Sequence, residues 1–332
     1  MRQVDYEKAP LFAGALLGAL TVDRHPPTAT QFAVIDALGR RFGQGRRAET
    51  IAPLGPGELS GALTPDELEA LAHLTVAVEM IEHPLPPERE AHVEAYMRAL
   101  GVAAPSADLC RATARDHVAA LHADFIRQSW TTEETVKGIF HGELVELARS
   151  KLSYYGIGRD EHIARRWEHL ADCPPGSWGR GVHDFYTAHG FPFPGQPHGI
   201  YEVGAKHDWM HVLCDYGTSP EGEIEVFAFI AVTMADPKGF VNFLFTLALF
   251  QNATVRTVGG KRVVIARADT LADDGAADRL AGALWRAREC TADVMGAIDV
   301  WDHADRPLEE LRTEWHVIPK AVPGPGAFDL PA

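Results

Sequence analysis

The chain has 332 residues, of which 46% are hydrophobic, so it can fill the core of one large or two ordinary domains. Its formal net charge of -15 argues against a nucleic-acid partner, because phosphates would be repelled by such an acidic surface. Cys110, Cys173, Cys214 and Cys290 are far apart and show no CxxC spacing. Neither a cysteine–zinc cluster nor a disulfide framework is predicted, and a reducing compartment is expected.

The N-terminal part of the chain predicts amphipathic helices with clear breaks between them. Residues 11–22 form an apolar segment that we interpret as a core helix rather than a signal peptide. Acidic Asp5 and Glu7 precede this segment, and no A-x-A-like cleavage site is evident. Residues 64–67, Thr-Pro-Asp-Glu, combine an N-cap, a proline at the first helical position and a capping-box glutamate. A helix should therefore begin there, and another is predicted over 88–100.

The middle of the chain continues as helix, and its histidines are scattered. Residues 108–169 have helical character, with a second capping box at 131–134. His117 and His122 are five residues apart, which is a poor helical spacing for a shared ion. His141 belongs to a bare His-x-Glu pair. We interpret these three histidines as ordinary surface or packed side chains.

The most apolar part of the sequence is 226–250, which is long enough to raise the question of a membrane span. Residues 236–238, Asp-Pro-Lys, divide it into two short pieces. Two buried helices, or helices that touch a lipid, fit this pattern better than a span.

The last third of the chain is also predicted to be mainly helical. A small β-hairpin is predicted near 254–265, around a Gly-Gly turn. Helix is expected again over 271–301 and 307–315, and residues 319–332, rich in proline and glycine, predict a flexible tail. The predicted fold class is all-α, a multi-helix bundle with this one hairpin.

One stretch contains a complete set of metal-ligand residues. On a helix, His207, Asp208 and His211 lie at about 0°, 100° and 40°, and therefore share one face. Glu223 comes twelve residues later, roughly 18 Å along a straight helix, so a break is required. Residues 216–220, Tyr-Gly-Thr-Ser-Pro, indicate a C-terminal glycine, a serine N-cap and a proline at the first helical position. The sequence predicts a helix-turn-helix that folds Glu223 back over the His-Asp-His face.

Two imidazoles and two carboxylates suit zinc, and they also fit iron(II) or manganese, because no thiolate selects a softer site. In a zincin helix the first histidine is followed by a glutamate that acts as general base. The shorter Asp208 is better placed as a ligand or as a residue that tunes one. Cys214 is interpreted as buried packing. His183-Asp184 repeats the dipeptide without a second histidine four residues on, so no metal is assigned there.

The pattern His-Asp-x-x-His, eleven residues, then Glu resembles the signature of the coenzyme Q (ubiquinone) biosynthesis protein four family. The matching residues are His207, Asp208, His211 and Glu223. Residues 175–179, Trp301 and residues 307–312 resemble other segments of that family. The resemblance covers roughly 171–318, within a predicted domain over 131–318. The preceding 1–130 are predicted to be an N-terminal helical domain or extension, faintly similar to TerB-type domains.

The resemblance implies an all-α fold, a zinc-type site on a helix pair and a role in ubiquinone biosynthesis. It implies a metal-dependent decarboxylase (lyase) that removes the ring carboxylate of a polyprenylated hydroxybenzoate, with hydroxylation of that carbon. A prenyl tail could lie against the apolar helices that follow the site, with Phe227 and Phe240 as candidate contacts. Lys206 is a candidate partner for the substrate carboxylate. No catalytic residue is assigned.

The partners expected on this basis are a prenylated substrate or lipid and a quinone biosynthesis complex. A membrane-surface contact and a homo-oligomer are left open, and the expected location is cytoplasmic, peripheral to the inner membrane. Two alternatives remain. One is a non-catalytic prenyl-lipid-binding scaffold in which the metal only staples two helices. The other is a metal-dependent hydrolase, suggested by a loose likeness to other His-Asp metal helices.

Overall fold

The computed structural model describes residues 6–23, 25–43, 47–103, 107–114, 152–251, 257–258, 261–262 and 268–330. Its α-helices within these ranges are α1 (Ala9–Leu20), α2 (Ala29–Phe42), α3 (Pro56–Leu59), α4 (Pro65–Glu79), α5 (Pro87–Ala99), α6 (Ala107–Ala114), α7 (Glu161–Glu168), α8 (Trp178–His189), α9 (Glu202–Cys214), α10 (Pro220–Thr233), α11 (Lys238–Phe250), α12 (Ala276–Glu289) and α13 (Leu308–Glu314). Short 3-10 helices cover Tyr6–Lys8, Ala48–Thr50, His169–Asp172, Thr270–Ala272 and Val300–His303.

The predicted all-α class is confirmed, and the strands within the described residues are very short. Strands β1 (Thr257–Val258) and β2 (Lys261–Arg262) pair antiparallel, with Thr257 opposite Arg262. They lie at the centre of the predicted hairpin.

The N-terminal helices begin and end where local chemistry predicts. The Thr64 hydroxyl accepts from the Glu67 amide, and the Glu67 carboxylate accepts from the Thr64 amide, so α4 has a full capping box. Helix α5 ends just before Gly101, which has a positive φ of 77°. The predicted capping box at 131–134, the histidines at 117, 122 and 141, and the domain boundary at 130 lie outside the described residues.

One hydrophobic core joins the N-terminal helices to those that follow α9. Arg40 of α2 pairs with Asp278 of α12 at 2.8 Å, and the Phe42 and Trp285 rings meet with centroids 5.3 Å apart. Gln251, fully buried after α11, donates to the carbonyl of Ile81 at 2.8 Å. The described N-terminal helices therefore pack directly against the C-terminal half.

The apolar segment 226–250 forms two buried helices, as predicted. It contains most of α10 and all of α11, and the break between them is held by the Asp236 carboxylate, which accepts from the Lys238 amide at 2.9 Å. Within the described ranges, the length and apolar content of every helix fall short of what crossing a membrane requires.

The prediction of helix over 271–301 is wrong in extent. Helix α12 occupies only 276–289, and it starts after Gly275, whose φ of 76° breaks the helix before it. After α12, the Asp293 carboxylate accepts from the amides of Gly296 and Ala235, at 2.7 and 2.9 Å. These two bonds stabilise an irregular turn where periodicity alone predicts helix.

The segment predicted as a flexible tail lies against the turn between α9 and α10. The Pro325 carbonyl accepts from the Gly217 amide at 3.1 Å. Lys320 pairs with Asp215 at 3.3 Å, and the same carboxylate accepts from the buried Ala327 amide at 3.1 Å. We call residues 319–330 the C-terminal strap. Its mobility stays a prediction.

Candidate metal centre

Helix α9 carries the predicted ligands and lies in tight contact with α8. A Cβ on Gly181 would come within 2.9 Å of a methyl carbon of Val212, so only glycine permits this approach without a shift. The buried Trp178 of α8 donates its indole N–H to the Trp209 carbonyl at 2.9 Å. This packing fixes the position of α9 relative to α8.

The turn that returns the chain to the site differs in detail from the prediction. Helix α9 ends at Cys214, and Asp215, not a glycine, takes the left-handed conformation at φ 57° and ψ 49°. Aspartate tolerates this region because its short polar side chain can bond locally. Ser219 caps α10 by accepting from the Gly222 amide at 3.3 Å, and Pro220 is the first helical residue, both as predicted.

The glycines of this turn serve close packing. A Cβ on Gly222 would lie 2.1 Å from the Gly217 carbonyl oxygen, well inside van der Waals contact. A Cβ on Gly217 would lie 3.0 Å from Pro325 of the C-terminal strap. The two glycines therefore let the first turn of α10 sit directly on the connection, which brings Glu223 back towards α9.

The four predicted residues converge. His207, Asp208 and His211 each offer a ligand atom, and these atoms all lie within 4.8 Å of one another. The Nε2 atom of His207 is 3.2 Å from Asp208 Oδ1 and 3.7 Å from Glu223 Oε2, and His211 Nε2 is 3.4 Å from Glu223 Oε1. The helix-turn-helix thus brings two nitrogens and two carboxylates together, as the spacing predicts.

Backbone hydrogen bonds orient both imidazoles. The Nδ1–H of His207 donates to the Gly204 carbonyl at 2.5 Å, and the Nδ1–H of His211 donates to the Tyr216 carbonyl at 3.1 Å. Because a carbonyl can only accept, Nδ1 carries the hydrogen in each ring and Nε2 faces the cluster. His211 Nε2 is fully buried without a hydrogen-bond partner in the described part of the chain. Such an orphaned nitrogen fits a metal ligand.

The Asp208 carboxylate is held by a residue outside the predicted set. The Tyr186 hydroxyl of α8 donates a short hydrogen bond to Asp208 Oδ2, the oxygen that does not face His207. Burial raises the pKa of Tyr186 well above its ordinary value, and the Asp208 charge adds to this effect. The phenol therefore keeps its proton and acts as a donor.

The charges of the cluster balance one another. Burial alone would lower the pKa of His207, but the carboxylates of Asp208 and Glu223 and the Gly204 carbonyl raise it to about 10. Burial alone would raise the pKa of Glu223, but the two histidines hold it well below its usual range. Without a metal, a proton on His207 therefore compensates the carboxylates. A divalent cation would take over that function.

Aromatic rings line both histidines. Phe185 stacks on His211 with centroids 5.7 Å apart, and Phe227 stacks on His207 at 5.2 Å. The side chain of His211 is fully buried, whereas those of His207 and Glu223 are 13% and 18% exposed. The site is accordingly closed on the His211 side and reaches the surface on the side of His207, Glu223 and Phe227.

Two arginines stabilise the C-terminal end of α9. Arg286 donates to the Cys214 carbonyl at 2.9 Å, and Arg312 donates to the carbonyls of Leu213 and Val212 at 2.8 and 2.9 Å. Cations at this end complement the helix dipole and satisfy carbonyls that lack helical partners. The ligand helix is thereby fixed at the point where the turn begins.

The residues proposed to contact substrate lie in three different places. Phe227 is at the open side of the cluster, against His207. Lys206 points elsewhere: its ammonium donates to the carbonyls of Met295 and Ile298 at 2.9 and 3.1 Å, beside a separate cavity of about 700 Å³. Phe240 is 3% exposed and packs on the His73 ring of α4. A substrate role for each remains a prediction.

The other candidates behave as ordinary side chains. Cys214 is fully buried, and burial raises the pKa of its thiol to about 12. His183 bonds to the neighbouring carboxylate of Asp184 at 3.1 Å and stacks on Phe193, and the Asp184 carboxylate also pairs with Arg180. That neither Cys214 nor the first His-Asp dipeptide is a ligand stays a prediction.

Sequence reasoning missed Tyr186, Phe185 and Asp215. Tyr186 lies 22 residues before Asp208, and only the packing of α8 on α9 brings the two together.

Comparison of the chain with protein-family models, with curated proteins and with solved structures finds no match. The resemblance to the coenzyme Q biosynthesis protein four family therefore rests on the sequence motifs alone.

Proposed function

We propose that this chain is a metal-dependent enzyme of ubiquinone biosynthesis that removes the ring carboxylate of a polyprenylated hydroxybenzoate, with hydroxylation of that carbon. The proposal combines the family resemblance with one observation of the structure. Two histidine Nε2 atoms and the carboxylates of Asp208 and Glu223 converge, and His211 Nε2 is buried without a hydrogen-bond partner among the described residues.

The donor set suits zinc, and iron(II) or manganese also fit. Bound there, such an ion would supply a Lewis acid for a substrate oxygen. The chain's own residues hold the donors in place, through the Gly204 and Tyr216 carbonyls behind the histidines and Tyr186 behind Asp208. Burial of His211 keeps water from the closed side.

A substrate would approach from the open side, where His207 and Glu223 are partly exposed and Phe227 stacks on His207. The rest of α10, from residue 226, and α11 are mainly apolar, which would suit a prenyl tail. Most of the apolar side chains of α10 and α11 are packed in the common core. A prenyl tail would therefore lie along the edge of these helices that remains accessible.

The reaction has two separable parts. Loss of the carboxylate breaks the bond between the ring carbon and the carboxyl carbon, leaves the electron pair on the ring and releases CO₂. A proton on that carbon completes a simple decarboxylation. Hydroxylation of the carbon requires a two-electron oxidant such as dioxygen in addition. An assay with and without dioxygen therefore separates the two parts.

The test uses the zinc- or iron-loaded full chain with a polyprenylated hydroxybenzoate labelled with ¹³C in its carboxylate. We expect release of ¹³CO₂ by the unaltered chain and none by His211→Ala. His183→Ala is the matched control, because it removes a histidine that also precedes an aspartate but contacts Asp184 and Phe193 instead of the four candidate ligands. In cells, deletion of the gene should lower ubiquinone, and normal ubiquinone in the deletion strain would refute the pathway.

One observation favours a second candidate function, a non-catalytic lipid-binding scaffold. Most of the cluster is buried, and the ion would join α9 to α10 in the manner of a structural staple. In that case Glu223→Ala would lower thermal stability and lipid binding together. The purified chain would then release no ¹³CO₂ under any condition.

A further inference from the structure

We infer that the two carboxylates of the cluster have different functions: Tyr186 is a positioning residue that restricts Asp208 to one ligand oxygen, while Glu223 is free to bind through one oxygen or two. The inference rests on the proposed metal site and extends it. It identifies the ligand that can yield a coordination position to an incoming oxygen ligand, and the residue that prevents the other carboxylate from doing so.

The two oxygens of Asp208 are already divided between two neighbours. Oδ1 lies 3.2 Å from His207 Nε2 and faces the cluster, whereas Oδ2 accepts the short hydrogen bond from Tyr186. A carboxylate with one oxygen occupied in this way presents the other to a metal. Asp208 would therefore donate a single oxygen as long as the phenol remains bonded.

Tyr186 itself is fixed by its surroundings. Its side chain is 1% exposed, and its ring stacks on Phe193 with centroids 5.1 Å apart and an angle of 9° between the rings. Trp167 contacts the same ring at 5.4 Å. The hydroxyl can therefore not follow a movement of Asp208, and the hydrogen bond holds the carboxylate in one orientation.

Glu223 lacks such a restraint. Its Oε2 lies 3.7 Å from His207 Nε2 and its Oε1 lies 3.4 Å from His211 Nε2, so both oxygens face the donor nitrogens. In the described part of the chain, the ionic partners of this carboxylate are these two histidines. Its side chain is also the most exposed of the four, at 18%. The geometry allows either one or both oxygens to bind.

These differences set the coordination number. Two imidazoles and one Asp208 oxygen give three fixed donors, and Glu223 adds one or two. A shift of Glu223 from two oxygens to one would open a position on the accessible side while the other three ligands stay in place. Catalytic zinc sites sometimes expand from four ligands to five.

The test measures metal binding and spectra, without substrate. In Tyr186→Phe, Asp208 can rotate and bind through both oxygens. We expect zinc affinity to fall about 10- to 100-fold, as for other supports of ligand carboxylates. In the cobalt(II) form, the visible absorption should weaken, because cobalt with five ligands absorbs less than tetrahedral cobalt.

Tyr96→Phe is the matched control, since Tyr96 of α5 is also buried and its hydroxyl donates to the Leu54 carbonyl at 2.6 Å rather than to a residue of the cluster. This variant should keep the zinc affinity and cobalt spectrum of the unaltered chain. A double variant separates positioning from general packing. If Tyr186 acts through Asp208, then Tyr186→Phe should have no further effect on affinity in an Asp208→Asn background.

Unchanged zinc affinity and an unchanged cobalt spectrum in Tyr186→Phe would overturn the inference. So would an equal loss of affinity in the Asp208→Asn background, because that result assigns the effect to packing. Both readouts are independent of turnover. A chain that shows the expected metal behaviour without releasing CO₂ would refute the proposed function and leave this inference standing.

Discussion

The chain contains two His-Asp dipeptides on neighbouring helices, and their surroundings differ: one lies at the surface and the other is largely buried. His183-Asp184 lies on α8, where the aspartate is 48% exposed and pairs with Arg180 at 2.9 Å. His207-Asp208 lies on α9, where the side chains are 13% and 12% exposed. The same two residues thus form a surface ion pair in one place and half of a buried cluster in the other.

The difference lies in what surrounds each dipeptide. Four residues after His183 comes Thr187, which donates back to the His183 carbonyl, whereas four residues after His207 comes His211. Only α9 is followed by a turn that returns a carboxylate, Glu223, to its own face. A dipeptide becomes a candidate metal site through its helical partner and the returning chain.

The largest expected effect is loss of the metal. His211→Ala removes a buried nitrogen donor, so the purified variant should contain almost no zinc, whereas His183→Ala should contain as much as the unaltered chain. Elemental analysis measures this, and far-UV circular dichroism checks that both variants are folded. Equal zinc content in the two variants would show that the two dipeptides do not differ in metal binding.

Closure of the turn should have the next largest effect. In Gly222→Ala the new Cβ would lie 2.1 Å from the Gly217 carbonyl, so the first turn of α10 must move away and carry Glu223 with it. We expect at least a tenfold loss of zinc affinity and a loss of stability of about 1–3 kcal/mol. Gly57→Ala is the control, because nothing lies within 4 Å of its Cβ position. Unchanged zinc binding by Gly222→Ala would contradict the role of this close contact.

Zinc affinity should depend on pH at the second dipeptide. The pKa of His207 is raised to about 10, so binding between pH 7 and 9 displaces one proton and the affinity should rise about tenfold per pH unit. Competition with a chelator of known pH dependence measures this slope. A flat profile would show that His207 holds no such proton.

The same pKa shifts set the stability of the metal-free protein. The raised pKa of His207 stabilises the fold fully below its unfolded value of 6.5, and this contribution is lost as the pH rises towards about 10. The lowered pKa of Glu223 stabilises the fold above its unfolded value of 4.5, and this contribution is lost as the pH falls. The cluster should therefore contribute most to the stability of the metal-free fold between pH 4.5 and pH 6.5.

The smallest effect is expected at the first dipeptide. Asp184→Asn weakens a surface pair with Arg180 four residues away on the same helix, and such pairs contribute about 0.3–0.5 kcal/mol. Urea unfolding should show a change of this size with no change in zinc content. A large loss of zinc in Asp184→Asn would show that the two dipeptides are coupled.

The sequence predicts the ligands and the position of the break because both depend on local periodicity and on the serine-proline start of α10. It does not predict Tyr186, whose contact with Asp208 depends on how α8 packs against α9. It also assigns the left-handed residue to a glycine, whereas Asp215 occupies that conformation and the glycines serve close packing. Lys206 illustrates a further limit, since the direction of its side chain depends on the fold of residues 295–298.

The C-terminal strap has a consequence for the order in which the protein is made. Pro325 and Ala327 bond to Gly217 and Asp215, and Ala327 also accepts from His189, whose ring packs on Phe185 next to His211. These restraints are supplied by residues translated about a hundred positions after the ligands. During synthesis, the four ligands therefore leave the ribosome before the segment that bonds to their turn.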